Sequence, residues 1–275
     1  MTAIVSPQNP RLQRLRRLHR RRERARSASF LAEGEDLIVA AAAAGWKPLE
    51  GYRATGSELD EGFLEVEPTA LAAVSTLGSG TRAIGVYKER WCATLDGPLW
   101  VYLHALSDPG NVGTILRAAH AFGASGVALG PGCADPFSPK AVRASMGAIF
   151  NVPLARVSEI TELPGERIAL VAHAGGPLRD LEVTGPLTLL VGAEREGLPD
   201  EVLAACGRVA HIPIAGDSLN AAMAATIALY EMSNATGRGA RLAGVLPAAP
   251  LGSDDGGARL AGVLPAAPPS KVLPA

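Results

Sequence analysis

Between residues 99 and 232, short continuous apolar runs alternate with segments of helical periodicity, which leaves few folds open to the chain. Continuous apolar runs are typical of strands that are buried on both faces. The predicted strands are 99–106, 126–129, 168–172, 187–191 and 209–214, and the predicted helices are 112–122, 141–150 and 218–232. We therefore expect an α/β fold with a mainly parallel sheet and helices on both of its faces. Ligands on such sheets bind at the carboxyl ends of the strands.

The zone before this alternation, residues 1–92, opens with a strongly basic block. Residues 11–26 contain nine arginines and one acid, so the block carries +8 within a chain of net charge -1. Leu12, Leu15 and Leu18 recur at three-residue spacing and predict a helix with one apolar stripe. Such a block attracts phosphates without sequence preference, although a solvated helix face has the same composition.

The rest of residues 1–92 predicts a small α/β module. Its predicted strands are 30–33 and 83–87, and its predicted helices are 35–44 and 68–77. The chain closes with residues 238–275, in which GARLAGVLPAAP occurs twice and 21 of 38 residues are Ala, Gly or Pro. This composition resists regular structure, so we expect a disordered tail, with a partner-binding peptide as the alternative.

The motifs of several other protein classes are missing. No Gly-x-Gly-x-x-Gly follows a predicted strand and no Gly-Lys-Ser/Thr closes a phosphate loop, which argues against nucleotide dehydrogenases and P-loop ATPases. Arg143 stands where a serine hydrolase needs its first glycine. Cys92, Cys133 and Cys206 are too far apart for a zinc site or a small disulfide framework. Without a signal peptide or an apolar run of membrane length, we expect a cytoplasmic protein with no membrane contact.

Three polar segments follow predicted strands. The first is SDPGNVGTILR at residues 107–117, in which Asn111 lies at or near a helix N-cap and Arg117 is less than two turns further on. The second is GAEREGL at residues 192–198, where two glycines allow the backbone to turn sharply and to approach a ligand closely.

The third segment is IPIAGDSLN at residues 212–220, and a small-residue helix follows it. Asp217 or Ser218 would cap that helix, whereas Asn220 is a polar residue in its otherwise apolar first turn. Because the carboxyl ends of parallel strands share one edge of a sheet, the three segments predict one cluster of amides, a hydroxyl, a carboxylate and an arginine.

In this order the three segments resemble the signature motifs of the SpoU branch (TrmH-like) of the SPOUT RNA 2'-O-ribose methyltransferases. The resemblance covers residues 99–232, and the zone before it is similar to a small RNA-binding domain that many members carry. It implies an RNA-binding domain at 1–92 and a catalytic domain at 98–237, which the tail at 238–275 follows. It also implies S-adenosyl-L-methionine as the cofactor, a trefoil knot at the carboxyl end of the catalytic domain, and a homodimer.

The resemblance also assigns residues. The family's catalytic positions match Asn111, Arg117, Glu194, Ser218 and Asn220. Its cofactor-binding positions match Gly192, Ile212 and Leu219, to which we add Gly197, the second glycine of the same turn. The substrate-binding candidates are Arg143 and Ser145, within the segment 140–147 that is similar to the family's ribose-side motif, and Arg16 and Arg20 of the basic block. No metal ligand is implied. Members usually have a longer spacer before Ser-Leu-Asn, so the resemblance does not fix the shape of the loop 215–217.

We therefore expect methyl transfer from S-adenosyl-L-methionine to an RNA ribose 2'-hydroxyl, with ribosomal RNA favoured over transfer RNA. Arg117 is either the general base or a bidentate phosphate contact that lowers the pKa of the hydroxyl. The alternatives are a non-catalytic RNA-binding or ribosome-assembly protein on the same fold and a transfer RNA methyltransferase. Nothing in the sequence separates housekeeping modification from antibiotic resistance.

Truncation after Gly237 tests the interpretation of the tail. Because a segment rich in Pro, Gly and Ala contributes little core, we expect the melting temperature and the rate of methyl transfer to stay nearly unchanged. Differential scanning calorimetry and a methyl-transfer assay measure the two quantities. A large drop in either would show that the tail docks on the folded protein.

Overall fold

A computed structural model describes residues 3–59, 62–77 and 80–235 of the chain. The predicted tail 238–275 and the last residues of the predicted catalytic domain lie outside this range. Among the described residues there are two β-sheets, one formed before residue 89 and the other after residue 98. No helix within these ranges has the length and apolar character needed to cross a lipid bilayer.

The amino-terminal part of the chain builds the smaller sheet. Its elements in chain order are α1 (Pro10–Leu18), α2 (Arg21–Ser27), β1 (Ser29–Glu33), α3 (Glu35–Ala43), β2 (Glu50–Ala54), β3 (Leu64–Val66), α4 (Pro68–Ala72) and β4 (Ala83–Lys88). The strand order is β1-β4-β2-β3, with β4 antiparallel to both neighbours and β2 parallel to β3. The predicted α/β module is present, and β2 and β3 are additional strands.

The larger sheet contains seven strands, and every neighbouring pair in it is parallel. Its elements in chain order are β5 (Leu99–Leu103), α5 (Pro109–Ala121), β6 (Gly126–Leu129), α6 (Pro139–Ala144), β7 (Leu154–Arg156), β8 (Glu166–Val171), β9 (Gly176–Pro177), β10 (Leu187–Val191), α7 (Asp200–Ala204), β11 (Arg208–His211) and α8 (Ala221–Ala235). The strand order is β7-β6-β5-β10-β8-β11-β9. Strand order alone does not test the trefoil knot, which stays a prediction.

Both faces of the larger sheet are covered, as the continuous apolar strands predict. On β5, Leu99, Val101 and Leu103 belong to a core that includes side chains of α5 and α8. Trp100 and Tyr102, which alternate with them, pack in a second core with side chains of α7. The side chains of β5 are at most 2% exposed, so this strand lies at the centre of the domain.

The basic block forms two helices rather than the single helix predicted. α1 ends at Leu18 and α2 begins at Arg21, with Arg20 in an extended conformation between them. Leu12, Leu15 and Leu18 are buried, as the apolar stripe predicts, and they pack against the smaller sheet. The block is therefore part of the core as well as a charged surface, and only its exposed arginines can be removed without opening that core.

An aromatic cluster joins the two sheets. The Phe30 ring of β1 lies 4.8 Å from the Phe137 ring, and the Trp46 and Tyr87 rings lie 5.3 and 5.1 Å from the Phe150 ring. The indole Nε1 of Trp46 donates a hydrogen bond of 2.7 Å to the Phe150 carbonyl. Aromatic pairs add stabilisation beyond the area that they bury. The smaller sheet is thus fixed against the larger one.

An ion pair beside this cluster fixes the basic helices. Arg24 of α2 is 3% exposed, and its Nε and Nη2 donate hydrogen bonds of 2.9 and 2.6 Å to one carboxylate oxygen of Asp135. Its Nη1 donates to the carbonyls of Leu18 and His19 at the end of α1. One guanidinium therefore closes α1, orients α2 and reaches the loop after β6.

Replacing Arg24 tests this ion pair. Arg24→Met leaves the largely buried Asp135 carboxylate without its partner. We therefore expect the free energy of unfolding to fall by about 3 kcal/mol. The double variant Arg24→Met/Asp135→Asn should be less destabilised than the sum of the single variants. Urea denaturation measures these differences, with Arg26→Ala, from an exposed pair with Glu23, as a control of little effect. Strict additivity would contradict the coupling.

Candidate active site

The order of the strands brings the polar segments to one edge of the larger sheet. β5 and β10 are neighbours, and the His104 amide donates to the Val191 carbonyl at 2.9 Å just beyond their ends. The segment 192–198 therefore starts beside the loop that leads into α5. The third segment follows β11 and leads into α8, which packs against α5.

Three of the predicted catalytic side chains form one hydrogen-bonded chain. The Asn111 amide nitrogen donates to Oε1 of Glu194 at 2.8 Å, and the Asn220 amide nitrogen donates to Oδ1 of Asn111 at 3.2 Å. These residues come from three different segments, and Asn111 is separated from Glu194 by 83 positions and from Asn220 by 109. The carboxylate thus lies at one end of a row of amides at the carboxyl ends of the strands.

The helix caps differ from those predicted. Asp108 caps α5 by accepting from the Gly110 amide at 2.9 Å, which places Asn111 inside the first turn with its side chain free to reach Glu194. Asn220, rather than Asp217 or Ser218, accepts from the first amides of α8 at 2.9 and 3.3 Å. Capping fixes Asn220 Oδ1, so its amide nitrogen faces Asn111.

A further pair at this edge was missed by the sequence reasoning. Lys140 of α6 donates to Oδ1 of Asp108 at 2.6 Å. The Lys140 ammonium and the Gly110 amide hold the pKa of the Asp108 carboxyl below its usual range. The signal was available, because Asp108 lies in the first polar segment and Lys140 begins the predicted ribose-side segment. The pair ties α6 to the start of α5.

A cavity of about 370 Å³ lies beside the row of amides, within the size range of small-molecule sites. All of the predicted cofactor-binding residues line it, together with two of the predicted catalytic residues: Gly192, Gly197, Ile212, Leu219, Glu194 and Ser218. Leu170 to Ala172, at the end of β8, form a wall that the sequence reasoning did not include. The short loop 215–217 still leaves Ile212 and Leu219 on the cavity.

The fit to S-adenosyl-L-methionine can be judged from the donor set. The cavity combines apolar side chains, which suit an adenine ring, with the Ser218 hydroxyl and the Glu194 carboxylate, which suit the polar and cationic parts of the molecule. Exposed backbone of the turn 192–197 supplies further hydrogen-bonding groups. The residues present therefore fit this cofactor. Within the described residues, no group of three His, Cys, Asp or Glu side chains could hold a metal ion.

Gly192 lies in a sharp turn, as the sequence predicts. A Cβ on Gly192 would overlap the backbone carbonyl of Gly197, so the space beside it is filled by the turn itself rather than left for a ligand. Ala193 and Gly197 form a β-bridge, and Gly197 has a positive φ of 69°. The two glycines thus close a tight turn, and the cavity wall depends on that turn.

Other predicted site residues lie apart from the cavity. Arg117 is exposed on α5, about 9 Å along the helix from Asn111, and makes no hydrogen bond or ion pair within the described ranges. Arg143 is exposed at the end of α6. Ser145 is fully buried and donates to the Val142 carbonyl at 2.7 Å, so its placement is structural. Only Arg143 of this pair presents its side chain to solvent.

The two substrate-binding candidates in the basic block remain on the surface. Arg16 donates to the Ala73 carbonyl at 2.9 Å, which orients its exposed side chain, and Arg20 is exposed between α1 and α2. Both guanidinium groups are therefore accessible to a phosphate.

Comparison with known proteins identifies the chain. Residues 98–230 match the SpoU rRNA Methylase family, and residues 9–78 match the MRM3-like substrate binding domain. The 23S rRNA (guanosine(2553)-2'-O)-methyltransferase RlmP of Bacillus subtilis is 30% identical over 248 residues, which cover 84% of this chain and 99% of that protein. This chain belongs to the SpoU rRNA methylase family. The resemblance seen in its motifs is confirmed.

Solved structures of SpoU methyltransferases share the fold. An AdoMet-bound rRNA methyltransferase from Sinorhizobium meliloti matches with a TM-score of 0.76 and 32% identity, covering 85% of this chain and 97% of that chain. The SpoU methyltransferase AviRb from Streptomyces viridochromogenes, in complex with AdoMet, matches with a TM-score of 0.74 and 28% identity, covering 82% and 98%. The α/β architecture predicted from the sequence is thus that of the SpoU family.

Gly192→Ala tests the role of the turn. Because the added methyl group overlaps the Gly197 carbonyl, the turn must open, and we expect the affinity for S-adenosyl-L-methionine to fall more than about tenfold. Calorimetric titration measures the affinity. Gly185→Ala is the matched control, because a Cβ there meets nothing within 4 Å and Gly185 does not line the cavity. Equal affinities for the two variants would contradict the proposed need for the turn.

Proposed function

We propose that the protein transfers a methyl group from S-adenosyl-L-methionine to a ribose 2'-hydroxyl of ribosomal RNA. The observation that carries the proposal is the hydrogen-bonded row of Asn111, Glu194 and Asn220 beside a cavity of cofactor size. Membership of the SpoU family and the ribosomal RNA activity of its Bacillus relative support the choice of substrate. A non-catalytic protein on this fold would have no need of the complete polar row.

Most of the rate acceleration in the proposed reaction comes from positioning the two reactants. When bound, the cofactor supplies an electrophilic methyl group on a sulfonium. The turn 192–197 and Leu219 hold the cofactor. Asn111 and Asn220 present their side-chain amides in the groove beside this cavity, where the ribose would bind. Holding the acceptor oxygen in line with the methyl group removes much of the entropic barrier of a bimolecular step.

The proposed role of Arg117 is to contact the RNA. Its guanidinium is exposed and has no partner within the described residues, so its donors are available to a phosphate. Because arginine stays protonated in proteins, we favour a bidentate phosphate contact that lowers the pKa of the nearby 2'-hydroxyl over direct proton abstraction. Arg143 has the same accessibility at the end of α6.

We assign RNA binding to residues 1–92 and the chemistry to residues 98–237. Eight of the nine arginines in the basic block are exposed, and Arg16 and Arg20 are among them. Exposed guanidinium groups release counterions from RNA when they bind phosphates, so affinity through this surface falls steeply with salt. The interface with the larger sheet holds this surface in a fixed position relative to the cofactor cavity.

We further propose a homodimer that uses the exposed side of α8. Met223 and Tyr230 are 56% and 53% exposed there, and Met223 lies in a groove with Asn111 and Asn220. A second copy would cover these apolar side chains and border both active sites. Sedimentation of Met223→Asp should show a shift from dimer to monomer, whereas a monomeric parent protein would refute the proposal.

Mapping 2'-O-methyl groups in total RNA from cells with and without the gene tests the proposed function. One or more sites in ribosomal RNA should disappear with the gene and return when the parent protein is supplied. Loss of a transfer RNA site alone would favour the alternative substrate. A protein that binds no S-adenosyl-L-methionine in calorimetry would overturn the enzymatic assignment.

Arg117→Ala separates chemistry from cofactor binding. We expect unchanged affinity for S-adenosyl-L-methionine and a loss of single-turnover methyl transfer of at least about a hundredfold, the scale of a lost electrostatic contributor. The control is Arg179→Ala, an exposed arginine of the same domain that lines neither the cavity nor the groove. Methyl transfer by Arg117→Ala at the parental rate would show that the assignment is wrong.

A further inference from the structure

A second cleft opens on the same edge of the larger sheet as the cofactor cavity. It measures about 420 Å³ and lies between α2 and the loops that follow β6 and β7. Arg21 and Ala25 line one side, the segments 129–136 and 156–158 line the other, and Glu89 and Trp91 line the remaining wall. No residue of this cleft belongs to the polar row or to the cofactor cavity.

The Arg156 guanidinium lies over the Trp91 ring, and the two side chains form part of the cleft wall. The Arg156 guanidinium carbon lies 4.1 Å from the centre of the Trp91 ring. Trp91 is held in turn by an edge contact of 5.3 Å with Phe137 and by a hydrogen bond of 3.2 Å from its Nε1 to Glu89. Arg156 is exposed, so a flat cationic surface is offered to solvent on a fixed aromatic support. Guanidinium planes of this kind stack on unpaired nucleobases.

The charges of the cleft are only partly neutralised. Neither Arg21 nor Arg156 makes a hydrogen bond or an ion pair within the described part of the chain, whereas Arg24 of the same helix is paired with Asp135. Burial raises the pKa of the Glu89 carboxyl above its usual range. Two guanidinium groups therefore have free donors, a combination that suits a phosphate and a base better than an apolar ligand.

The cleft is also within reach of the site of chemistry. β6 lies beside β5, and β5 lies beside β10, so the cleft is two to three strand spacings, about 10–15 Å, from the turn 192–197. The loops after β5 and β6 are in contact, because the Ala105 amide donates to the Pro131 carbonyl at 3.1 Å. One continuous edge thus leads from the basic helices to the cofactor cavity.

We propose that this cleft binds an unpaired RNA nucleotide that neighbours the methylated one, with its phosphate on Arg21 and its base stacked on the Arg156 guanidinium. The inference rests on the proposed function, since it assumes that RNA crosses this edge. It assigns to Arg156, Trp91 and Arg21 the task of holding the strand so that the target ribose enters the active site. These residues bind the substrate and do not touch the reacting atoms.

The test compares arginines that differ in position but not in kind. Arg156→Ala and Arg21→Ala change the cleft. Arg90→Ala is the control for Arg156, because Arg90 is an exposed arginine stacked at 3.8 Å on another tryptophan, Trp46, outside the cleft. Arg179→Ala is the control for Arg21, because Arg179 is an exposed arginine outside the basic block and does not line the cleft. Each pair loses the same charge.

The probe is a fluorescently labelled single-stranded RNA of mixed sequence, titrated onto the full chain at fixed salt. We expect each cleft variant to weaken RNA binding about five- to fiftyfold, the scale of one lost stacking or phosphate contact, and each control to change it less than about twofold. Melting temperatures and the affinity for S-adenosyl-L-methionine should not change. RNA binding by Arg156→Lys should also be weak, because lysine keeps the positive charge but lacks the planar guanidinium group on which a base could stack.

A second measurement locates the RNA directly. Photo-crosslinking of 4-thiouridine RNA to the parent protein should label peptides that contain 129–136 or 156–158, and the label should be lost in Arg156→Ala. Equal RNA affinities for Arg156→Ala and Arg90→Ala, or full rescue by Arg156→Lys, would overturn the cleft assignment. Failure of the proposed function has a different signature, in which the parent binds the RNA probe but methylates no ribosomal RNA.

Discussion

The pairing of β5 with β10 is the contact on which the rest of the structure depends. Both strands are buried on both faces, and their parallel register places the ends of Leu103 and Val191 side by side. The segment that leads to Asn111 and the turn that carries Glu194 therefore start from adjacent positions. Because the apolar faces of both strands specify one register, the position of the site follows from the packing of the sheet.

The second constraint is the junction between the two sheets. Phe30, Trp46 and Tyr87 bury their rings against Phe137 and Phe150, and Arg24 is held by Asp135. A basic block on a mobile arm would attract RNA without orienting it. Here the buried leucines of α1 and the buried arginine of α2 fix the exposed arginines beside the carboxyl edge of the larger sheet. The exposed arginines, whose attraction for phosphates is nonspecific, are therefore held in a fixed position relative to the cofactor cavity.

The candidate active site combines side chains that are already hydrogen-bonded to one another with a side chain that is free. Asn111, Glu194 and Asn220 hold one another, and Asn220 also caps α8, so the row is organised before any ligand binds. Arg117 has no partner within the described residues and is available to substrate. Preorganised dipoles beside a free cation suit a reaction in which positioning and electrostatic stabilisation carry the rate.

The parallel sheet and most of the candidate site could be predicted from the sequence, because these depend on local apolar runs and on motifs that lie directly after strands. Strands 126–129 and 187–191 have the predicted bounds, and all predicted cofactor-binding residues line one cavity. Tertiary structure alone decided which arginine of the basic block is buried, that Asp108 and Asn220 are the caps, and that Gly192 packs against Gly197. The burial of Arg24 depends on Asp135, which is distant in sequence, and the packing of Gly192 depends on a backbone turn. The caps are local contacts, but several polar residues lie near each helix start and periodicity does not choose among them. The docking of the two sheets could not be predicted from the sequence either, because an aromatic residue in a strand is equally compatible with the core of its own sheet and with an interface.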